Sequence, residues 1–262
     1  MRLQILPQLL ALIPVVTAHG RITNITTSAG TVYPGWDPEF PKPNLAAWSA
    51  SNLGNIFVPP SNFNTSNITC HFNSSPGLSS VPVTAGDTIK LQWNEWPFSH
   101  KGPVLDYLAS CNGDCKNADK EKLQWVKIAQ LGWLNSSGLE VLGGTWANDV
   151  LIGNGFSWNV KIPTTLKEGD YVLRHEIIAL HVAEDLNGAQ AYPQCVNIRV
   201  ARNRNVKSGA VRRIEGGVLG HRLYGERDAG IFLDIHRKIS GYPIPGPGLW
   251  SGAEKIKQPS EG

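Results

Sequence analysis

Tyr171-Val172-Leu173-Arg174-His175-Glu176-Ile177-Ile178-Ala179-Leu180-His181-Val182 is the longest strand-like run in the chain. Its apolar residues stand at odd and even positions alike, so an extended backbone turns them to both sides. That pattern belongs to a central strand covered on two faces. Cys195-Val196-Asn197-Ile198-Arg199-Val200 follows after a short turn and is expected to pair beside it. Shorter segments alternate. Ile89, Leu91 and Trp93 share one face of Thr88–Trp93, and Trp158, Val160 and Ile162 share another before Pro163. From Gln124 to Gln130, Trp125, Lys127 and Ala129 alternate with Val126 and Ile128. Long helical periodicity is absent, and 27 Gly and 18 Pro punctuate the sequence. Many strands with turn-rich connections and little helix indicate an all-β fold: an antiparallel immunoglobulin- or fibronectin-like sandwich with long decorating loops.

Between the strands lie aperiodic stretches. Residues 33–73, rich in Pro, Asn, Ser and aromatics, are expected to form one or two large surface loops, and residues 138–155 another. Residues 207–250 show little strand signal beyond Gly230 to Ile235 and are expected to wrap the sandwich. Residues 251–262 read as a flexible polar tail. With no internal repeat and no low-complexity linker, residues 19–250 are expected to make a single domain.

The first twenty residues, MRLQILPQLLALIPVVTAHG, have the form of a secretory signal: Arg2, then an apolar run from Leu3 to Val16, then Val16-Thr17-Ala18 as a small-residue cleavage site. Cutting after Ala18 leaves 244 residues with His19 first, carrying a free α-amino group beside an imidazole. Those two nitrogens can chelate one metal ion, which no internal histidine can do. The product is expected to be secreted and soluble, since no later apolar run approaches the ~20 residues that cross a bilayer. Charged residues make up 17% of the chain and the net charge is only +3, so neither nucleic acid nor membrane is an expected partner. Locally, however, Arg199 to Arg213 is basic.

Export gives the four cysteines and the sequons their meaning. An even cysteine count in an oxidising compartment implies disulfides, with three possible connectivities. Cys111 and Cys115, four apart, are expected to clip one loop, which leaves Cys70 for Cys195. Asn24, Asn64, Asn67, Asn73 and Asn135 each begin an Asn-x-Ser/Thr triplet and are glycan-acceptor candidates. Three of these five lie between Asn64 and Asn73, which suggests an exposed loop there.

Of seven histidines, His100 sits just before an apolar strand, where a loop can project an imidazole from the end of a sandwich. Gln190 and Tyr192, two apart in an extended segment, point to one side. In series, several motifs carry a resemblance. They are His19-Gly20; Ile68-Thr69-Cys70-His71; Trp96-Pro97-x-Ser99-His100-x-Gly102-Pro103-Val104; and Tyr107-Leu108-Ala109-x-Cys111-x-Gly113-x-Cys115. Then come Leu173-Arg174-His175-Glu176-Ile177-Ile178-Ala179-Leu180-His181, Gly188-Ala189-Gln190-x-Tyr192-Pro193-x-Cys195 and Tyr242-x-Ile244-Pro245-Gly246-Pro247. Over nearly the whole mature length the chain resembles the fungal lytic polysaccharide monooxygenases of auxiliary activity family 9, formerly glycoside hydrolase family 61.

That resemblance implies one copper ion, held by the amino group and ring of His19 and by the ring of His100, with Tyr192 as an axial phenol. It implies that His181 and Gln190 steer oxygen species at the open face, and that Tyr242 presents a ring to the substrate. It also implies the disulfides 70–195 and 111–115. Tyr33 and Trp36 are further substrate-surface candidates from the first long loop. His71 and His175 are expected to be structural, and His221 and His236 solvated. The implied reaction is hydroxylation at C1 or C4 of a β-1,4-glucan such as cellulose, with dioxygen or hydrogen peroxide. Its implied electron donor is external: ascorbate, plant phenols or cellobiose dehydrogenase. The protein is expected to be a monomer. Nitrogen ligands in a tetragonal set suit copper(II), and the terminal amine must lose its proton to bind. Two features depart from the family: Asp228-Ala229-Gly230-Ile231 where Asp-Pro-Gly-Ile is frequent, and the basic stretch from Arg199. A non-catalytic carbohydrate-binding sandwich is the alternative. A glycosidase would need a carboxylate pair, which Glu95, Asp106 and Glu176 do not recognisably form.

Overall fold

A computed structural model describes residues 20–51, 53–54, 56–137 and 142–261. The signal segment and His19 lie outside the described residues. Strands β1 (Ile22–Thr26), β2 (Val32–Pro34), β4 (Thr88–Trp93) and β9 (Ser157–Lys161) form one sheet in the order β2-β1-β4-β9. A larger sheet runs β12-β6-β5-β10-β11-β3. Its members are β3 (Val81–Thr84), β5 (Val104–Ser110), β6 (Gln124–Leu131), β10 (Gly169–Ala179), β11 (Gln190–Ala201) and β12 (Val218–Leu219). Pairing is antiparallel except between β11 and β3. A small ribbon, β7 (Trp133–Asn135) with β8 (Thr145–Trp146), stands apart.

The sequence pattern explains the layering. Ile89, Leu91 and Trp93 of β4 and Trp158 and Val160 of β9 turn inward to a core between the sheets, where they meet Leu173, Ile177, Val196 and Ile198. The even residues of β10 point the other way. Val172 and Ile178 join Leu105, Tyr107 and Cys195 in a second core on the outer face of the large sheet. Val58, Phe63, Ile68, Leu223, Tyr224 and Ile235 cover that core from the long connections. The two-faced apolar character of the run at Tyr171 therefore comes from a sheet with protein on both sides.

Three expectations about the connections are corrected. Residues 138–155 are not simply a loop: α2 (Ala147–Gly153) forms there, its start held by the Asp149 carboxylate, which accepts from the Trp146 N–H at 2.8 Å. Nor is Asn64–Asn73 an exposed loop throughout. It contains α1 (Asn67–Cys70), whose Ile68, Thr69 and Cys70 are buried, although Asn64 and Asn73 are exposed. Gly230–Ile235 is irregular, and the strand of the wrap is β12 instead. The terminal segment is a docked strap. Gln258 donates to the Asn159 carbonyl and accepts from its N–H, Ser260 donates to the Val150 carbonyl, and Glu254 accepts from Thr164. A side-chain amide bonded to backbone mimics a ladder partner, so a polar sequence can be fixed without apolar burial.

Cys70 is bonded to Cys195, pinning α1 to β11, and Cys111 to Cys115, closing the loop after β5. No helix among the described residues is long and apolar enough to cross a membrane.

Candidate metal and substrate site

Strand register gathers the site. Ile177 of β10 pairs with Val104, the first residue of β5, on one side and with Tyr192 of β11 on the other. Beyond that point Leu180 donates to the Lys101 carbonyl at 2.7 Å, extending the β5–β10 contact into the loop before β5. Gly102 permits this approach, since a Cβ there would stand 1.8 Å from the Ile178 carbonyl oxygen. His100 and His181 are thereby brought face to face, their rings stacked at 3.8 Å between centroids and 27° between planes. Gln190 opens β11 beside Ala179.

Trp96 ties the remaining parts together. Its indole N–H donates to the His100 carbonyl at 3.0 Å. Its ring meets Tyr192 edge-on at 4.9 Å and His100 edge-on at 6.0 Å. Gly20 is packed into the same corner: a Cβ on it would lie 2.0 Å from the Glu95 carbonyl oxygen and 3.1 Å from the Trp93 ring. Tyr192 is buried, and its hydroxyl donates to Gln190 Oε1 at 2.8 Å. Burial pushes this phenol well above the ordinary tyrosine range. His100 Nδ1 meets the Ser99 hydroxyl at 3.2 Å. The His181 carbonyl accepts from His236 Nε2 at 2.9 Å, so His236, exposed as expected, also braces the site.

The expected substrate aromatics are placed less openly. Tyr242 is half-buried, its hydroxyl turned inward to donate to the Gly230 carbonyl at 2.7 Å while its ring packs edge-on against Trp146. Trp36 and Tyr33 are also half-buried and lean on the inter-sheet core, and the Trp36 indole donates to the Ala50 carbonyl at 2.9 Å. The sequence reading passed over Phe98, an exposed ring in the loop that carries His100. Its neighbour Lys101 is buried and paired with Asp149.

The other histidines are held differently. His175 is buried between the sheets, accepting from the Trp93 indole at Nε2 (3.1 Å) and donating from Nδ1 to Asp106 at 2.6 Å. His71 is buried with Nε2 donating to the Ile56 carbonyl, and desolvation lowers its pKa to about 4. His221 is half-buried rather than freely solvated. Arg174 and Glu176, on the outer face of β10, form a fully buried two-point ion pair joined by Tyr224. No group of three or more His, Cys, Asp or Glu among the described residues is disposed to hold a metal.

Comparison with known proteins bears on this geometry. A family model described as Auxiliary Activity family 9 (formerly GH61) matches residues 19–242. The chain is 47% identical over 244 residues to AA9 family lytic polysaccharide monooxygenase F of Malbranchea cinnamomea, covering 93% of this chain and 96% of that one. It is also 47% identical over 251 residues to AA9 family lytic polysaccharide monooxygenase D of Podospora anserina, covering 94% and 70%. Among solved structures it resembles the extended catalytic domain of H. jecorina LPMO9A, with a TM-score of 0.82 and 42% identity over 92% of this chain and 94% of that one. It also resembles Cel61B from Hypocrea jecorina, a glycoside hydrolase family 61 member, with a TM-score of 0.77 and 36% identity over 88% and 100%.

Proposed function

The chain belongs to Auxiliary Activity family 9, and on that premise we propose that it is a secreted copper-dependent monooxygenase that cleaves β-1,4-glucan chains of cellulose. The reading includes cleavage after Ala18, which releases a chain whose residues 19–250 form one domain. On this reading the amino group and ring of His19 and the ring of His100 would hold copper, with the Tyr192 phenol beside them. The observation that carries it is a chain of contacts at one corner: Gly20 packs on the Glu95 carbonyl and the Trp93 ring, and Trp93 stands edge-on to Trp96, whose indole meets His100 and Tyr192. His19 is bonded to Gly20, and adjacent Cα atoms lie about 3.8 Å apart, so a terminal residue preceding Gly20 is within reach of this corner. The donor chemistry also fits, since imidazole and amine nitrogens with a weak axial oxygen suit copper(II).

When bound, copper would supply the one-electron chemistry by which dioxygen or hydrogen peroxide becomes able to abstract hydrogen from a carbon beside the glycosidic oxygen. The residues around it have distinct tasks. The Ser99 contact at Nδ1 orients the His100 ring so that Nε2 is its ligand nitrogen. Tyr192 donates a hydrogen bond to Gln190 and keeps its proton because burial raises its pKa, so it would face a bound metal as a neutral, weak partner. Gln190 is held by that bond with its carbonyl oxygen toward the phenol, and its amide NH2 becomes a donor toward the open face. His181, fixed by its stack on His100 and by His236 at its carbonyl, offers a ring that can donate a proton to reduced oxygen species. A hydroxylated C1 or C4 then expels the glycosidic oxygen, and the chain breaks without a carboxylate pair.

The test is product analysis. Protein beginning at His19 is incubated with copper, ascorbate and swollen cellulose, and the released sugars are read by mass spectrometry. Aldonic acids or C4-oxidised ends support the reading and report its regiochemistry. Plain reducing sugars would point to hydrolysis, and adsorption without products to a non-catalytic binding sandwich.

A further inference from the structure

We propose that Phe98 forms a glucan-binding subsite beside the metal: a ring on which one pyranose of the chain stacks by its C–H face. This inference rests on the site reading above and extends it to a contact the sequence did not suggest. Seven large apolar side chains are exposed among the described residues, and Phe98 alone of these lies in the loop that carries His100. An exposed apolar residue by itself means little. Two observations separate Phe98 from that default.

The first is position. The His100 N–H donates to the Pro97 carbonyl at 3.1 Å, so Pro97-Phe98-Ser99-His100 is one tight turn with Phe98 near its tip and His100 at its end. Two residues of backbone separate the two Cα atoms by at most ~7 Å. Phe98 therefore springs from the same turn as the imidazole assigned to copper.

The second is fixation. The Lys101 ammonium sits 3.5 Å from the centre of the Phe98 ring. Lys101 is itself buried and paired with Asp149, and the same Asp149 carboxylate receives the Trp146 N–H at the start of α2. The ring thus rests on a charge anchored to the body of the protein, while the side chain stays 53% exposed. The cation takes one face, and the residue still keeps more than half of its surface in solvent. A ring held in one plane loses little freedom when a ligand covers it, which is the condition under which a modest contact contributes to affinity. β-1,4-Linked glucose carries its hydroxyls equatorially and shows a C–H surface on each face, so an unsubstituted β-glucan is the substrate class this platform fits.

The test compares wild type with Phe98→Ala, Phe98→Trp and a control, Val32→Ala. Val32 is also exposed but pairs with Thr26, at the end of β1 away from Gly20. Dissociation constants for cellohexaose and for swollen cellulose are measured on metal-free and copper-loaded protein. Phe98→Ala is expected to weaken binding about three- to tenfold in both metal states, the scale of one aromatic stack. Phe98→Trp should bind at least as tightly as wild type, and Val32→Ala should match it. Equal affinity of Phe98→Ala and wild type would overturn the proposal, as would an equal loss in Val32→Ala or no measurable wild-type binding to either ligand. Oxidised products from wild type are scored separately. Products with no effect of Phe98→Ala would refute the stack alone, and a Phe98 effect without products would refute the copper reading alone.

Discussion

His175 and His181 lie six residues apart on one continuous run and live in different physical worlds. In the middle of β10, His175 is walled in by both sheets, with each ring nitrogen committed: Trp93 donates to one, and Asp106 accepts from the other. Because an indole N–H can only donate, Nε2 must be the unprotonated nitrogen, and the tautomer is set. Past the end of β10, His181 is held by its ring face against His100 and by its own carbonyl. The first arrangement spends both nitrogens on packing. The second holds the ring by its face against His100 at the end of the strand, and the proposed function would use it there.

The locked region should respond in stability. Its largest element is the Cys70–Cys195 bond, since Cys195 pairs directly with Arg174 on β10. Replacing both cysteines with serine is expected to lower unfolding free energy by about 5 kcal/mol in the chain-entropy model, read by denaturant titration. The same change at Cys111 and Cys115, which close a far shorter loop, should lower it by only about 2 kcal/mol. His175→Ala leaves a cavity and a buried Asp106 carboxylate short of a donor, a combined loss of about 4 kcal/mol by the same titration.

His71, buried and bonded through Nε2, adds a pH dependence of known sign. Its pKa falls from 6.5 in the unfolded chain to about 4 in the fold. The folded state therefore binds fewer protons than the unfolded state between those values. The stabilising contribution is complete above pH 6.5 and is lost as pH falls toward 4, to a total of about 3 kcal/mol. Unfolding free energies of wild type and His71→Asn, compared across that window, should converge as the solution is acidified; parallel curves would contradict the account.

The end of β10 should respond in chemistry instead. His181→Ala is expected to change unfolding free energy by less than about 1 kcal/mol. Its yield of oxidised sugars should fall about 10- to 100-fold, the scale of losing a positioned partner beside a metal. A large stability loss with unchanged product yield would place His181 in the same class as His175.

The difference between these regions also governs what could be read from sequence. Strand periodicity reports apolar burial, and it located β4, β6, β9, β10 and β11 because their inward residues are Ile, Val, Leu and Trp. It could not report that Gln258 and Ser260 would dock through hydrogen bonds to β9 and α2, since polar side chains carry no such period. The short helix α2 was hidden for a related reason: it spans only Ala147–Gly153 amid glycines and depends on Asp149 to start. At the site, the family resemblance named His100, His181, Gln190 and Tyr192; Gln190 and Tyr192 lie at the start of β11 beside the end of β10, and His100 stacks on His181 just past that end. Whether an aromatic faces solvent was beyond that signal. Tyr242 turned its hydroxyl inward, and Phe98, unremarked between Pro97 and Ser99, became the exposed ring.

The claim that the chain start and His100 share one metal ion is tested most directly by electron paramagnetic resonance of copper(II) bound to protein beginning at His19. One tetragonal signal at one copper per protein, with coupling to three nitrogens, is the predicted result. His100→Ala should lose one of those couplings, and retaining Ala18 ahead of His19 should remove the amine. A spectrum unchanged by both alterations, or the absence of any bound copper signal, would contradict the account.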